Sequence, residues 1–206
     1  RLPAPVYIVH SLYNGNNHFN SAMAKGYLDL SSIFMPRIWE KKKDHIRAWS
    51  LSEPYHVPGS IPTLFMAVTT KPFSDRAFRR ACALVVNFEK INRLAVSRYS
   101  PPVQPGFILP FGPERDYFSA DDAQRYGPLF SHEKARSILR AAGYSWNSDN
   151  ALVDPSGTPV RPLTLECPQG WTDWENTIRI VEEGLDSLGI DARQKFVDYG
   201  RSEERR

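Results

Sequence analysis

The chain has 206 residues, of which 41% are hydrophobic and 24% are charged, with a formal net charge of +3 at pH 7. This length suffices for one domain with a sizeable core or for two small ones, and the composition is that of an ordinary soluble globular protein. The longest basic run, 41–43, is followed at once by Asp44, so we interpret it as a solvated face and predict no nucleic-acid partner. No apolar run approaches the length needed to span a bilayer.

The first sixty residues predict short alternating elements. Residues 5–12 are rich in β-branched and aromatic side chains and predict a strand, which a turn at 14–17 follows. A short helix around Phe19 and Met23 is predicted to end at Gly26. The remaining predicted elements are a strand at 27–30, a short helix at 36–43, a strand at 45–51 and a loop rich in Pro and Gly at 54–62.

The middle of the chain predicts a strand, two helices and a long loop. Residues 63–69 are an apolar run that predicts a strand buried on both faces. Ser74 and Asn87 are each placed to cap a helix. The apolar face of the first of these helices carries Phe78, Ala81, Cys82 and Val85. Residues 100–118 hold five prolines and two glycines and therefore predict a structured loop, whose length suits a functional role.

The last third of the chain predicts an alternation of helices and strands. Ser131 is expected to cap a helix that ends at Gly143, and an extended run at 160–166 follows a turn at 154–157. Thr172 and Glu175 have capping-box spacing. They begin a helix whose apolar face carries Ile178, Val181, Leu185 and Leu188 and which leads into a strand at 190–197. This strand–helix–strand order predicts a crossover between parallel strands, and so an α/β domain with one central sheet.

The cysteines and histidines predict no metal site. The chain has two cysteines and five histidines, and it lacks a Cys-x-x-Cys motif. Cys82 lies on the apolar face of its helix, so we interpret it as a buried apolar residue, while a disulfide with Cys167 stays open in an oxidising compartment. We predict no cofactor.

Four segments, taken in order, resemble the patterns of one protein family. Residues 69–81 (TTKPFSDRAFRRA) are similar to NTTKPPFDDPxFRRAL, and 87–91 (NFEKI) are similar to DREKI. Residues 131–144 (SHEKARSILRAAGY) resemble DPEKAKKLLAEAGY, and 188–192 (LGIDA) resemble LGIDV. These patterns are those of family 5 extracellular solute-binding proteins, the receptors of bacterial oligopeptide, dipeptide and oligosaccharide ABC importers. The resemblance is close over 60–206 and loose over 1–60. The chain departs from it at Phe88, where the family has an Arg.

The resemblance implies a fold and a function. It implies that residues 1–206 are a single α/β lobe, the second lobe of a longer, type II periplasmic-binding-protein-like clamshell, with a central mixed sheet flanked by helices. It implies a monomeric, non-catalytic receptor that is periplasmic or extracellular, with a lipid anchor left open. Such a receptor binds a small oligosaccharide or oligopeptide between its lobes and delivers it to the membrane permease of the importer.

One stretch points to the ligand. Residues 170–174 (GWTDW), followed by 196–199 (FVDY), resemble the GWTDW…KFPDY pattern of the branch that binds cello-oligosaccharides. The alternative is a peptide receptor, and both stay open, because the acidic residue that holds the peptide amino group in those relatives corresponds to a position beyond Arg206. A more remote alternative is a glycoside hydrolase. The adjacent acids at 121–122 and 182–183 point apart on a helix, which does not favour it.

The candidate ligand-binding residues are mostly aromatic. Trp171 is predicted one residue before the helix cap and lacks an apolar staple partner at Asn176, which favours a ring that faces a cleft. Trp174 and Asp173 join it as candidates, although core packing and the helix dipole would also account for them. The weaker candidates, which flank predicted strand ends, are Phe34, Met35, Trp49 and Tyr55. Trp39 and Trp146 are predicted to be structural.

Overall fold

A computed structural model of the chain describes residues 4–44, 46–48, 62–99, 104–127 and 129–200. The α-helices among these residues are α1 (Asn16–Ala24), α2 (Arg76–Leu84), α3 (Phe88–Lys90), α4 (Ala120–Tyr126), α5 (His132–Ala141) and α6 (Thr172–Asp186). The strands are β1 (Ser145–Trp146), β2 (Leu152–Val153), β3 (Leu163–Pro168) and β4 (Ala192–Val197). A π-helical turn (Ile91–Ala95) continues α3, and 3₁₀ helices span Ile38–Asp44, Pro105–Phe107 and Gly112–Tyr117.

The α/β class is confirmed, whereas the sheet is smaller than predicted. The described strands form two separate two-stranded sheets in place of one central sheet. β1 and β2 are antiparallel, while β3 and β4 are parallel, with Leu163 opposite Ala192 and Pro168 opposite Val197. The predicted parallel crossover through α6 is therefore confirmed.

The core lies where α2, α5 and α6 pack with the β3–β4 pair. Phe78 of α2, Leu139 of α5 and Leu188 after α6 are fully buried. The predicted apolar face of α6 is confirmed, since Ile178, Val181, Leu185 and Leu188 all belong to this core. The ring of Phe78 also lies 6.0 Å from that of Tyr144, the apolar residue after the left-handed Gly143 that ends α5.

Two of the predicted helix caps are confirmed, and a third is shifted by one residue. Asn87 Oδ1 accepts from the N–H of Lys90, and Ser131 Oγ accepts from the N–H of Lys134, as predicted. The cap of α2 is Asp75 rather than the predicted Ser74. Ser74 belongs to the preceding turn, in which its N–H donates to the Thr70 carbonyl, while Asp75 has the extended backbone that a cap requires.

Several of the predicted strands are wrong. Residues 5–12, 27–30 and 63–69 contain no strand, and exposed apolar side chains such as Ile8 (88%) and Phe65 (73%) lie along them. A β-prone segment becomes a strand only where it pairs with a strand edge, and none of these three segments pairs with the described strands β1 to β4. Of the predicted strand at 45–51, residues 46–48 are not a strand and the rest lies outside the described residues, as does most of the loop at 54–62.

The predicted short helices and the long loop agree better with the structure. α1 ends just before Gly26, which has a positive φ, and the helix predicted at 36–43 is the 3₁₀ helix Ile38–Asp44. The described part of 100–118 contains two 3₁₀ turns and no strand or α-helix, while 100–103 lie outside the described residues. None of the described helices is both long and apolar enough to cross a membrane.

Both cysteines are buried free thiols, so the alternative of a disulfide between them is wrong. Burial raises the pKa of Cys82 to about 12. Burial, together with the nearby carboxylates of Glu175 and Asp173, raises the pKa of Cys167 to about 11. Cys82 therefore acts as the small apolar core residue that its helical position predicts.

Candidate functional site

Three aromatic rings meet beyond the carboxyl ends of the two parallel strands. Trp171 follows β3, and Tyr199 follows β4. Their rings are stacked, with centroids 5.3 Å apart and planes 20° from parallel. The ring of Trp174 meets that of Trp171 edge-on at 4.9 Å. We call Trp171, Trp174 and Tyr199 the aromatic cluster. Carboxyl edges of parallel strands are where α/β folds bind ligands, and Tyr199 remains 51% exposed there.

The start of α6 differs in detail from the predicted capping box. Trp171 itself occupies the cap position, and the Thr172 side chain makes no capping hydrogen bond. Glu175 still reaches backwards, and its Oε1 accepts from the N–H of Gly170 at 2.7 Å. The predicted capping box is wrong because α6 begins at Thr172, which places this residue inside the first turn instead of before it. The Thr172 hydroxyl is therefore free to accept a hydrogen bond from another element.

That other element is α1. Asn16 is buried, and its Nδ2 donates to Thr172 Oγ1 at 3.2 Å and to Asp173 Oδ1 at 3.0 Å. Its backbone N–H donates to the Gly170 carbonyl at 2.8 Å. Gly15 packs directly on Gly170, and a Cβ on either residue would lie 2.8 Å from the backbone of the other. These contacts therefore hold α1 against the backbone next to Trp171.

Asp173 is held by this contact in a partly buried position. Burial raises the pKa of its carboxyl group, against the lowering effect of hydrogen bonds from backbone N–H groups and from Asn16. One of its oxygens already accepts from Asn16, so its capacity to accept from a ligand is reduced. Asp173 stays a predicted ligand residue, and the structure adds a link to α1 as a second role.

The raised pKa of Asp173 predicts a pH dependence of stability. The folded state binds this proton more tightly than the unfolded state, so stability falls as pH rises from the ordinary carboxyl pKa of 3.8 through the higher folded pKa. Asp173→Asn keeps an oxygen for Asn16 to donate to and removes the titration. We expect the urea midpoint of the unmodified protein to fall relative to that of Asp173→Asn across this window.

The matched control is Asp121→Asn, in the exposed first turn of α4. Its pH profile should run parallel to that of the unmodified protein. If the urea midpoint of Asp173→Asn falls across this window as much as that of the unmodified protein, another group is responsible for the pH dependence.

The structure describes two of the four weaker candidates, Phe34 and Met35. The ring of Phe34 meets that of Tyr99 at 5.4 Å, and Met35 is buried with its carbonyl accepting from the Tyr99 hydroxyl. The structure therefore gathers Phe34 and Met35 around Tyr99 rather than around Trp171. Trp49 and Tyr55 lie outside the described residues.

The two tryptophans predicted to be structural have packing partners. Trp146 Nε1 donates to the Leu188 carbonyl at 2.7 Å, and the guanidinium of Arg136 lies 4.6 Å from its ring centroid. Trp39 packs edge-on against Tyr99 at 6.0 Å. These contacts anchor the β1–β2 sheet to the end of α6 and the 3₁₀ helix Ile38–Asp44 to the segment after the π-helical turn.

The adjacent acids do not form a pair of facing carboxylates. Glu182 accepts from Gln194, and Glu183 pairs with Lys90. Asp121 and Asp122 belong to the first turn of α4, whose cap is Ser119. Within the described ranges, His, Cys, Asp and Glu side chains form no group of three that could hold a metal ion.

An α/β lobe with an aromatic cluster at the edge of its parallel strands has the form of a ligand-binding protein. Residues 2–206 match the family described as bacterial extracellular solute-binding proteins, family 5 Middle, and the chain belongs to this family. The family and the similar solved structures are binding proteins. Among curated proteins, none matches the chain.

Two similar structures are of one periplasmic oligopeptide-binding protein of an oligopeptide ABC transporter from Thermotoga maritima. The mannohexaose-bound structure is 34% identical with a TM-score of 0.83, and it covers 92% of this chain and 35% of its own. The other is 34% identical with a TM-score of 0.78 and covers 94% and 36%, respectively. The chain thus spans about a third of these proteins.

A more distant structure shows the fold alone. The oligopeptide-binding protein AppA from Bacillus subtilis, in complex with a nonapeptide, is 21% identical with a TM-score of 0.53. It covers 66% of this chain and 26% of its own.

Proposed function

We propose that this chain is one lobe of the solute-binding component of a bacterial ABC importer. The proposed receptor is monomeric, lies in the periplasm or outside the cell, traps its solute between two lobes and presents it to the membrane permease. The aromatic cluster is the observation that carries the proposal, since three partly exposed rings at the edge where α/β folds bind ligands suit one wall of the proposed cleft.

The proposed ligand is an oligosaccharide of the cello-oligosaccharide type. Aromatic rings offer flat apolar faces to the C–H surfaces of sugars, and a few polar groups are then enough to bind the hydroxyl rim. The sugar in the similar Thermotoga maritima structure, mannohexaose, supports the same choice.

An oligopeptide receptor is the second candidate, and the descriptions of the similar structures favour it. The Thermotoga maritima protein is described as oligopeptide-binding, as is the Bacillus subtilis protein with its nonapeptide. A glycoside hydrolase is the remote alternative. The adjacent pair Glu182 and Glu183 does not support it, because each of the two carboxylates is engaged by another side chain.

A melting-temperature screen of the full-length natural protein tests the proposal. Cellobiose to cellohexaose form one arm, and di- to pentapeptides form the other. A ligand at 100 times its Kd stabilises the folded protein by about 2.7 kcal/mol, which raises the melting temperature by several degrees. We expect this rise with the cello-oligosaccharides only. A rise with peptides alone would establish the second candidate, and no rise in either arm would contradict the receptor proposal.

A further inference from the structure

The contact between α1 and the start of α6 depends on a few identifiable atoms. Asn16, the first residue of α1, is only 6% exposed. Its side-chain amide donates to Thr172 Oγ1 and to Asp173 Oδ1, and its backbone N–H donates to the Gly170 carbonyl. Because burying an amide is unfavourable unless it is hydrogen-bonded, these three bonds hold Asn16 in one position.

This contact lies outside the hydrophobic core. Of the described residues, those that form the core around α2, α5 and α6, or pack against it, all lie from Met66 onward. Ala22, the buried apolar residue of α1, is not among them. Loss of the Asn16 bonds therefore leaves the core complete, and its first effect is on how α1 lies against α6.

The three acceptors lie on both sides of Trp171 along the chain. The Gly170 carbonyl precedes this residue, while the side chains of Thr172 and Asp173 follow it. A single residue of α1 thus holds the backbone before and after the ring that contacts both other members of the aromatic cluster. A binding group that is already held in position loses less freedom when the ligand arrives, so the ligand binds more tightly.

We infer that Asn16 is a positioning residue of the proposed ligand site. It holds α1 on the start of α6 and thereby holds Trp171 in the position that binds the ligand. This role rests on the proposed function, since it requires a ligand at the aromatic cluster. Coupling between two contacts is reciprocal, so a bound ligand also holds α1 more firmly on α6.

Removing the side-chain bonds tests the inference in the full-length protein. We expect Asn16→Ala to weaken binding of the tightest-binding cello-oligosaccharide about tenfold, measured by calorimetric titration. In a protein that already carries Trp171→Ala, the same change should weaken binding by less than about twofold, because the ring through which Asn16 acts is gone. An equal loss in both backgrounds overturns the inference. Asn17→Ala, at the exposed neighbouring position, is the matched control and should leave the affinity unchanged.

Gly15→Ala disturbs the same contact without changing Asn16. A Cβ on Gly15 would lie 2.8 Å from the backbone of Gly170, so we expect α1 to be displaced and the affinity to fall about tenfold. Gly26→Ala, just after the other end of α1, is the control. Gly26 also has a positive φ, but the space around a Cβ there is open, so the affinity should stay within about twofold of that of the unmodified protein.

Hydrogen exchange tests the reciprocal effect in the unmodified protein, so this measurement does not depend on the folding of a variant. The Asn16 amide is protected while it donates to the Gly170 carbonyl. We expect a saturating cello-oligosaccharide to slow its exchange by about the factor that Asn16→Ala costs in affinity, roughly tenfold. The Gly157 amide, in the turn at 154–157, is the control and should exchange at an unchanged rate. An unchanged rate at Asn16 contradicts the coupling.

The failure of this inference is distinguishable from failure of the proposed function. Unchanged affinity in both Asn16→Ala and Gly15→Ala, beside weakened binding in Trp171→Ala, overturns the role of Asn16 alone. Unchanged affinity in Trp171→Ala overturns the aromatic cluster as the ligand site, and the positioning role of Asn16 with it.

Discussion

Replacing Trp171 by alanine is expected to weaken oligosaccharide binding by the full-length protein about 10- to 100-fold, which corresponds to about 1.4–2.8 kcal/mol. Trp171 is the central ring of the aromatic cluster, because it contacts both Tyr199 and Trp174. Its removal takes away the face on which we propose that a sugar stacks, and it leaves the other two rings without their shared neighbour. Isothermal titration with the tightest-binding cello-oligosaccharide measures the effect.

The fold should survive this substitution. Trp171 is only partly buried, and its backbone carbonyl, which accepts from the N–H of Glu175 at 2.8 Å, is present whatever the side chain. Trp146→Phe provides the opposite control, since it removes the indole hydrogen bond to Leu188. We expect Trp146→Phe to lower the free energy of unfolding by about 1 kcal/mol and to leave the oligosaccharide affinity unchanged. An unchanged affinity in Trp171→Ala would show that this ring is not in the site.

The second large effect is expected from Gly184→Ala, in the middle of α6. Helix propensity alone predicts that alanine stabilises this position by about 1 kcal/mol. The structure predicts the reverse sign. A Cβ on Gly184 would overlap the carbonyl oxygen of Val85 at the end of α2, and this is buried backbone that cannot rotate away. Because of this overpacking, we expect Gly184→Ala to lower the free energy of unfolding, measured by urea denaturation, by about 3 kcal/mol.

Gly26→Ala is the control that separates steric overlap from the backbone strain of placing alanine at a glycine position. Gly26 has a φ of +75° and open space around the position of a Cβ, so alanine there incurs backbone strain alone, about 1 kcal/mol. Gly184→Ala should be clearly more destabilising than this control. A stabilised Gly184→Ala protein would mean that α2 and α6 do not approach each other as closely as the structure shows.

Two of the helix caps and the helix faces were predictable because they depend on interactions within a few residues. Asn87 and Ser131 cap their helices as predicted, and the periodic apolar positions of α6 all reach the core. The order of strand, helix and strand was enough to predict the parallel β3–β4 pair, since a crossover of this length favours that arrangement.

Local sequence could not predict which of the β-prone segments become strands of a sheet. Residues 5–12 and 63–69 have the composition of strands, yet they are irregular or turned and mostly exposed, because a strand exists only where another strand edge pairs with its backbone groups. The same reasoning explains Ser74. Its side chain could cap a helix, but the preceding turn holds its backbone and Asp75 takes the cap.

For the candidate site, the sequence by itself determined that aromatic residues follow two parallel strands, with Trp171 and Trp174 at the start of a helix. Only the tertiary structure decided that Tyr199 stacks on Trp171 and that Asn16 holds Asp173. These pairs are far apart along the chain, so no local preference encodes them. They arise because parallel pairing brings two strand ends to one edge, and because Gly15 and Gly170 lack the side chains that would keep α1 away.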